Sequence, residues 1–166
     1  MQKKNNEMGS AITSQIKFFI DEECRWFFEG SEIKRQSMVC LFAKYLQKDS
    51  KGEYNIITPY EIVRVRVANV PFKVIKIWIE GIEKERNISI ETNVGDVLEI
   101  KKQTAMRFSK DPSNKGIVPY INFRDNIEAI FTRSTAHDLI SHCNFFMVNS
   151  KKRFGFWSNN TFFPID

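Results

Sequence analysis

Phe27–Phe72, FFEGSEIKRQSMVCLFAKYLQKDSKGEYNIITPYEIVRVRVANVPF, is the stretch whose reading decides the fold. Trp26, Phe27 and Phe28 run as a strand into the turn pair Gly30-Ser31. Met38, Leu41, Phe42, Tyr45 and Leu46 then fall at the spacing of an apolar helical stripe, which predicts a helix from about Arg35 to Gln47 lying on a sheet. Asp49-Ser50-Lys51-Gly52 stops that helix and turns the chain. Tyr54 to Thr58 alternates as a strand, Pro59 breaks it, and Ile62 to Val67 alternates again. The stretch holds no nucleophile, metal cluster or phosphate-cradling loop. It points to a packed, β-rich unit that works by recognition rather than by covalent chemistry.

Outward from this stretch the pattern stays β-rich. Ile12 to Glu23 reads as an opening helix, and Cys24 to Glu29 as a strand. After Phe72, the run Val74, Ile75, Ile77, Trp78 and Ile79 reads as a strand buried on much of both faces, and Ile88 to Glu91 as a half-exposed one. Val118 to Phe123 and Glu128 to Arg133 flank an Asp125-Asn126 turn. A helix capped by Ser134 or Thr135 follows, with Ala136, Leu139, Ile140 and Cys143 as its apolar side. Closing strands are expected around Phe145, Phe156 and Phe163, joined at Lys151-Lys152 and Asn159-Asn160. Connections this short favour consecutive antiparallel strands. The expected fold class is α+β: two small half-domains of curved antiparallel sheet, each with a packed helix. The expected boundaries are a flexible or helical extension over 1–20, an N-terminal half over 21–70 and a β-rich C-terminal half over 71–166. The residues alone do not align the two halves as a repeat.

Composition narrows the function. With 42% apolar and 13% aromatic residues in 166, the chain has material for a sizeable interior. The net charge of +5 divides as +2 and +3 on either side of Val70/Pro71, too evenly for a dedicated nucleic-acid face. Lys101-Lys102 with Arg107 and Lys110, and Lys151-Lys152-Arg153, read as solvated turns; the aromatic interleaving up to Trp157 is the best local hint of single-strand binding, yet no repeated basic groove accompanies it. Three cysteines without C-x-x-C spacing fit a reducing compartment, and no apolar run spans a bilayer, so a cytoplasmic protein without a membrane partner is expected. Cys40 reads as a small core residue, and Cys24, beside Arg25, as the better-placed redox thiol.

Catalytic constellations are weak. Asp138 and His142 share a helical face but supply too few ligands for zinc, and His137 diverges from them. No serine elbow, Walker loop or G-x-G-x-x-G occurs. The expectation is therefore no catalytic residue, no metal and no cofactor. The more informative group is Arg35, Thr58, Glu61, Arg64, Thr92, Asn93, Arg124 and Asp125, polar residues at predicted strand ends. Arginine forks recognise phosphate, and Asn93 both donates and accepts. The bland alternative pairs Arg64 with Glu61 and Arg124 with Asp125, and leaves Asn93 an ordinary turn residue.

Seven pieces in register resemble the bacterial domain-of-unknown-function family 1285. They are Phe28 to Arg35, Met38 to Ala43, Ile57 to Arg64, Val70 to Phe72, Glu91 to Val97, Val118 to Tyr120 and Phe123 to Ala129. The resemblance covers about Arg25 to Cys143. It implies a duplicated core, a C-terminal half like a pleckstrin-homology fold, and a nucleotide-like ligand between the halves of a signalling protein linked to oxidative stress. On that basis Arg35, Arg64 and Arg124 would neutralise phosphate, while Thr58, Glu61 and Asn93, with Asp125 nearby, would orient sugar or base. A protein partner would read the ligated state. The competing expectation is a protein–protein interaction module without a small molecule.

Overall fold

The structure is a computed structural model that describes residues 16–113 and 115–165. Among the described residues fifteen strands form three sheets, accompanied by two α-helices. The first sheet contains β1 (Phe18–Ile20), β2 (Trp26–Phe28), β3 (Ser31–Glu32), β4 (Leu46–Lys48), β5 (Tyr54–Ile57) and β6 (Ile62–Val67), with α1 (Gln36–Tyr45) between β3 and β4. The second contains β7 (Phe72–Glu80), β8 (Asn87–Thr92), β9 (Val97–Glu99), β10 (Met106–Lys110), β11 (Ile117–Arg124) and β12 (Ile127–Phe131), and α2 (Arg133–Ser141) follows it. The third is the meander of β13 (Asn144–Val148), β14 (Lys151–Ser158) and β15 (Thr161–Pro164).

The two six-stranded sheets have the same wiring. The first runs β3-β2-β1-β6-β5-β4, the second β9-β8-β7-β12-β11-β10. In each, two three-stranded meanders join through a parallel pair in the middle, β1 with β6 and β7 with β12. Even the bond that closes the pair is repeated: Ala68 N donates to Ile20 O at 2.9 Å, and Thr132 N to Val74 O at 3.3 Å. The core is thus duplicated at the level of topology.

This overturns the expected curved antiparallel sheets and the pleckstrin-homology-like C-terminal half. Both sheets are open, and each carries a parallel pair at its centre, whereas a pleckstrin-like half calls for antiparallel strands closing on one another. Short connections do force each local meander to be antiparallel. The parallel pair escapes that rule because β1 and β6 meet only after four other strands and α1 have intervened.

Several local expectations also change. Phe18–Ile20, expected in an opening helix and an N-terminal extension, is a strand at the middle of the first sheet; the part of those expectations over residues 1–15 lies outside the described residues. α1 ends at Tyr45, and Leu46 is buried as the first residue of β4. The packed face of α1 is Val39 and Ala43, while Met38, Leu41 and Tyr45 point outward at 40%, 51% and 40% exposure. β7 is buried only at Phe72 and Val74, because Ile75 and Trp78 lie on an open surface. α2 starts two or three residues early, since Thr132 rather than Ser134 or Thr135 caps it through a bond from Thr135 N. Asp125-Asn126, Asn149-Ser150 and Asn159-Asn160 all carry positive φ at both positions, the conformation of two-residue hairpin turns. Lys151-Lys152 therefore opens β14 instead of turning the chain.

One apolar cluster runs through both six-stranded sheets and into the third, from Ile20 and Trp26 through Phe72, Ile88 and Ile121 to Phe156. Between the halves, Trp26 and Phe72 lie 6.3 Å apart between ring centroids. Ser158 ties the third sheet to the second: its buried hydroxyl donates to Ile100 O at 2.5 Å and accepts from Ile88 N at 3.1 Å.

Candidate functional site

The seam between the halves is crossed by polar as well as apolar contacts. Gln36, the first residue of α1, donates from Nε2 to Asn93 O at 2.7 Å. Cys40 Sγ points to Val94 O at 3.6 Å. Asn69 Nδ2 donates to the Tyr120 hydroxyl at 3.2 Å. Arg124 reaches from the end of β11 to the carbonyl of Ala43 in the last turn of α1, lying over the rings of Phe72 and Phe123.

Beside this seam opens a cleft of about 260 Å³, walled by Cys24, Arg25, Trp26, Glu32, Lys34 and Gln36 from the first half and by Lys73 and Asn93 from the second. Local structure explains the placement of Lys34, Asn93 and Arg25. Ile33 N donates to Trp26 O at 2.7 Å, turning the chain after β3 so that Lys34 sits at the entry to α1. Asn93 follows β8 and clamps the start of β7: its Oδ1 accepts from Lys73 N at 3.0 Å and its own N donates to Lys73 O at 2.9 Å. Arg25 is held by Asp21 and Glu23 at 2.7 and 3.3 Å. Burial pushes the Asp21 carboxyl upward, but the backbone amide and guanidinium of Arg25 outweigh it and hold the pKa below the usual value. Across the segment Glu32–Lys34 lies an apolar cavity of about 390 Å³, lined by Phe18, Phe28, Met38 and Phe42, with Arg35 beside them.

The sequence-predicted residues divide into three groups. Arg35 and Asn93 border these two neighbouring cavities. Thr58, Glu61 and Arg64 belong to the β5–β6 hairpin. The Thr58 hydroxyl accepts from Glu61 N and donates to Glu61 O, both at 3.1 Å, closing the turn. Arg64 pairs with Glu53, the residue just before β5, not with Glu61, and lines a separate cavity of about 480 Å³. Arg124 pairs with a carbonyl of α1 rather than with Asp125, which is exposed in its hairpin turn. The three arginines therefore do not meet in one hollow. Thr92 is fully buried, its hydroxyl accepting from Asp96 N.

The cleft residues that the sequence reading left out include Lys34, Gln36 and Lys73. Gln36 carries no signal in the sequence that separates a cleft wall from an ordinary helix-start residue. Cys24, read as a redox thiol, is 4% exposed. Its burial, opposed by nearby Lys73, pushes the pKa up to about 12, so the reactive thiolate is suppressed. Cys40 is half-buried at the seam instead of in the core. Among the described residues no group of three or more His, Cys, Asp or Glu is placed to hold a metal, and no helix is long and apolar enough to cross a membrane.

Comparison with known proteins agrees with this architecture. No curated protein matches. A crystal structure at 2.50 Å of a DUF1285 family protein from Silicibacter pomeroyi DSS-3 is similar over 90% of this chain and 79% of that one, with a TM-score of 0.81 and 28% identity. A DUF1285 family protein from Shewanella baltica OS155, at 1.40 Å, shares the fold over 78% of this chain and 94% of that one, with a TM-score of 0.61 and 20% identity. Residues 10–70 match the family described as "Domain of unknown function (DUF1285), N-terminal domain", and residues 71–165 match "Protein of unknown function (DUF1285), C-terminal domain". With both family domains present in order and covering nearly the whole chain, this protein belongs to the DUF1285 family.

Proposed function

We propose that the protein is a regulatory ligand-binding protein whose inter-half cleft takes a phosphate-bearing, nucleotide-like molecule. The observation that carries this reading is the cleft's wall. Lys34 and Lys73 approach it from opposite halves, and Trp26, which lines it, has a buried Nε1 without a hydrogen-bond partner. A buried donor left unmatched costs free energy that a ligand oxygen would recover. Phosphate would sit between the two lysines, a ribose-sized group would meet Gln36 and Asn93, and a base would lie over Phe28 and Phe42 with Arg35 at its edge. A ligand joining Gln36 to Asn93 would tighten the seam that those residues already bridge, which is how a partner protein would sense it. Arg124 would act here by holding the halves together, while Arg64, Thr58, Glu61 and Asp125 would lie beyond the ligand.

Thermal unfolding with a nucleotide panel tests the proposal. A nucleotide at about a hundred times its dissociation constant adds about 2.7 kcal/mol, or about 5–10 °C for a chain of this size. Lys34→Gln and Lys73→Gln should each diminish that shift. Flat melting curves across the panel would overturn it. The competing reading, a protein-interaction module, is favoured by one feature: the exposed Met38, Leu41 and Tyr45 stripe on α1. Pull-down with and without nucleotide separates the two.

A further inference from the structure

The C-terminal half contains a second, larger cavity that shares no lining residue with the inter-half cleft. It measures about 770 Å³, within the range of small-molecule sites, and lies between α2 and the β11–β12 face. Its apolar lining is aliphatic: Val118 from β11, Ile130 from β12, and Ala136 and Ile140 from α2. Phe131, its one aromatic, is 4% exposed and offers little ring surface for stacking.

Arg133 and His137 line the same cavity and stand four residues apart on α2, hence on one face. Three other arginines are ion-paired: Arg25 with Asp21 and Glu23, Arg64 with Glu53, and Arg107 with Glu128. Among the described residues the Arg133 guanidinium has no ion pair. It also stands in the first turn of α2, where no acidic residue balances it and the helix dipole opposes a cation. A negative group placed here would relieve that opposition. The acid in the lining, Asp111, accepts from Ser113 N and Oγ at 2.8 and 2.7 Å within its own loop. His137 has Asp138 3.8 Å away.

We propose that this cavity is a binding site for a small amphipathic carboxylate of the alkanoate class. The carboxylate lies on the Arg133 fork with His137 beside it, and the chain runs over Val118, Ile130 and Ile140. One guanidinium matches one carboxylate bidentately. A multiply charged phosphate would find no second committed cation and would face Asp111. The branched aliphatic floor suits an alkyl chain rather than a planar base.

Calorimetric titration of the full chain with decanoate, below its micelle concentration, tests this. Saturable binding is expected, and octanoate should bind about tenfold more weakly, since each buried methylene contributes a similar increment. Arg133→Gln, at an exposed position, should weaken decanoate at least about tenfold without altering the circular dichroism. Lys151→Gln, on the third sheet, should leave the affinity unchanged. Decyltrimethylammonium should not compete. Absence of saturable heat, affinity independent of chain length, or equal binding of the cationic amphiphile would each overturn the proposal without using a variant. Undiminished binding by Arg133→Gln would overturn its charged half.

Discussion

Replacing Arg124 by methionine should weaken the fold measurably, because this side chain joins the halves. Its guanidinium donates to Ala43 O at the C-terminal end of α1, which also accepts from Leu46 N. A hydrogen bond from a charged donor contributes about 1.5–3 kcal/mol. A cation at a helix C-terminus adds about 0.3–1 kcal/mol. The stack over Phe72 and Phe123 is largely kept by a methionine chain, so the cation–π part is lost and the packing retained. Against these stands Nε, buried and without a partner, whose removal returns about 1–2 kcal/mol. The balance is a loss of about 1–3 kcal/mol, or about 3–10 °C in melting temperature for 166 residues. Equilibrium urea unfolding gives the free energy, and the part-buried bond should make the loss nearly the same at low and high salt. Arg64→Gln supplies the contrast. Its pair with Glu53 is 45% and 42% exposed, so the change should cost less than about 0.5 kcal/mol and fade with salt. Equal, salt-sensitive losses at both positions would refute the distinction between a structural and a surface arginine.

Ser158→Ala strips the hydroxyl between Ile88 N and Ile100 O; Ile100 O keeps Asn159 Nδ2, but the Ile88 amide is stranded, so about 2–3 kcal/mol of stability should go, measured by denaturant titration. Gly155→Ala places a methyl against the backbone carbonyl of Phe163 and the ring of Phe162 in the β14–β15 pairing; more than about 3 kcal/mol should be lost, with altered Trp157 fluorescence reporting the third sheet. Burial holds Cys24 and Cys143 protonated up to about 12, while unfolded thiols ionise near 8.5. The folded state therefore binds more protons than the unfolded one above that point. Each thiol contributes stability that is intact below about 8.5 and falls by about 1.4 kcal/mol per pH unit on the way to about 12. Alkaline unfolding of Cys24→Ala and Cys143→Ala variants should show correspondingly shallower slopes.

Where alternation is long and flanked by turn residues, the sequence discloses the strand. Tyr54–Ile57, Ile62–Val67 and Asn87–Thr92 are of this kind, and Ile88, Ile90 and Thr92 are all fully buried on one face. The central strand β1 is not legible, because three residues, Phe18–Ile20, satisfy helical and extended spacing equally. α1 is legible as an element but not in its orientation. Leu46 extends the apparent stripe by one turn although it belongs to β4, and this shifts the inferred inner face from Val39 and Ala43 to Met38 and Tyr45. The duplication is hidden for a different reason. The halves share strand order, yet one inserts its helix between the third and fourth strands and the other appends it after the sixth. A linear comparison meets α1 opposite a loop.

The candidate site shows the same limit at the level of side chains. Arg64 has Glu61 three residues away, but Thr58 closes that turn, and the β5–β6 register, with Asn55 opposite Arg64, brings Glu53 within reach as the diagonal neighbour. Arg124 precedes Asp125, but a turn with positive φ at Asp125 and Asn126 sends the acid to solvent while the arginine folds back toward α1. Nearness in sequence is thus a poor guide to ion pairing when a tight turn intervenes, since the turn's backbone decides where each side chain points. A basic residue's availability depends on that same accident. Arg64 and Arg124, chosen for their chemistry, are committed to partners, whereas Lys34 and Lys73 face the cleft because β3 and β7 deliver them there from opposite halves. If a ligand does occupy the cleft, charge removal at those two lysines should reduce its affinity more than removal at Arg64, and a ranking led by Arg64 would move the site to the β5–β6 hairpin.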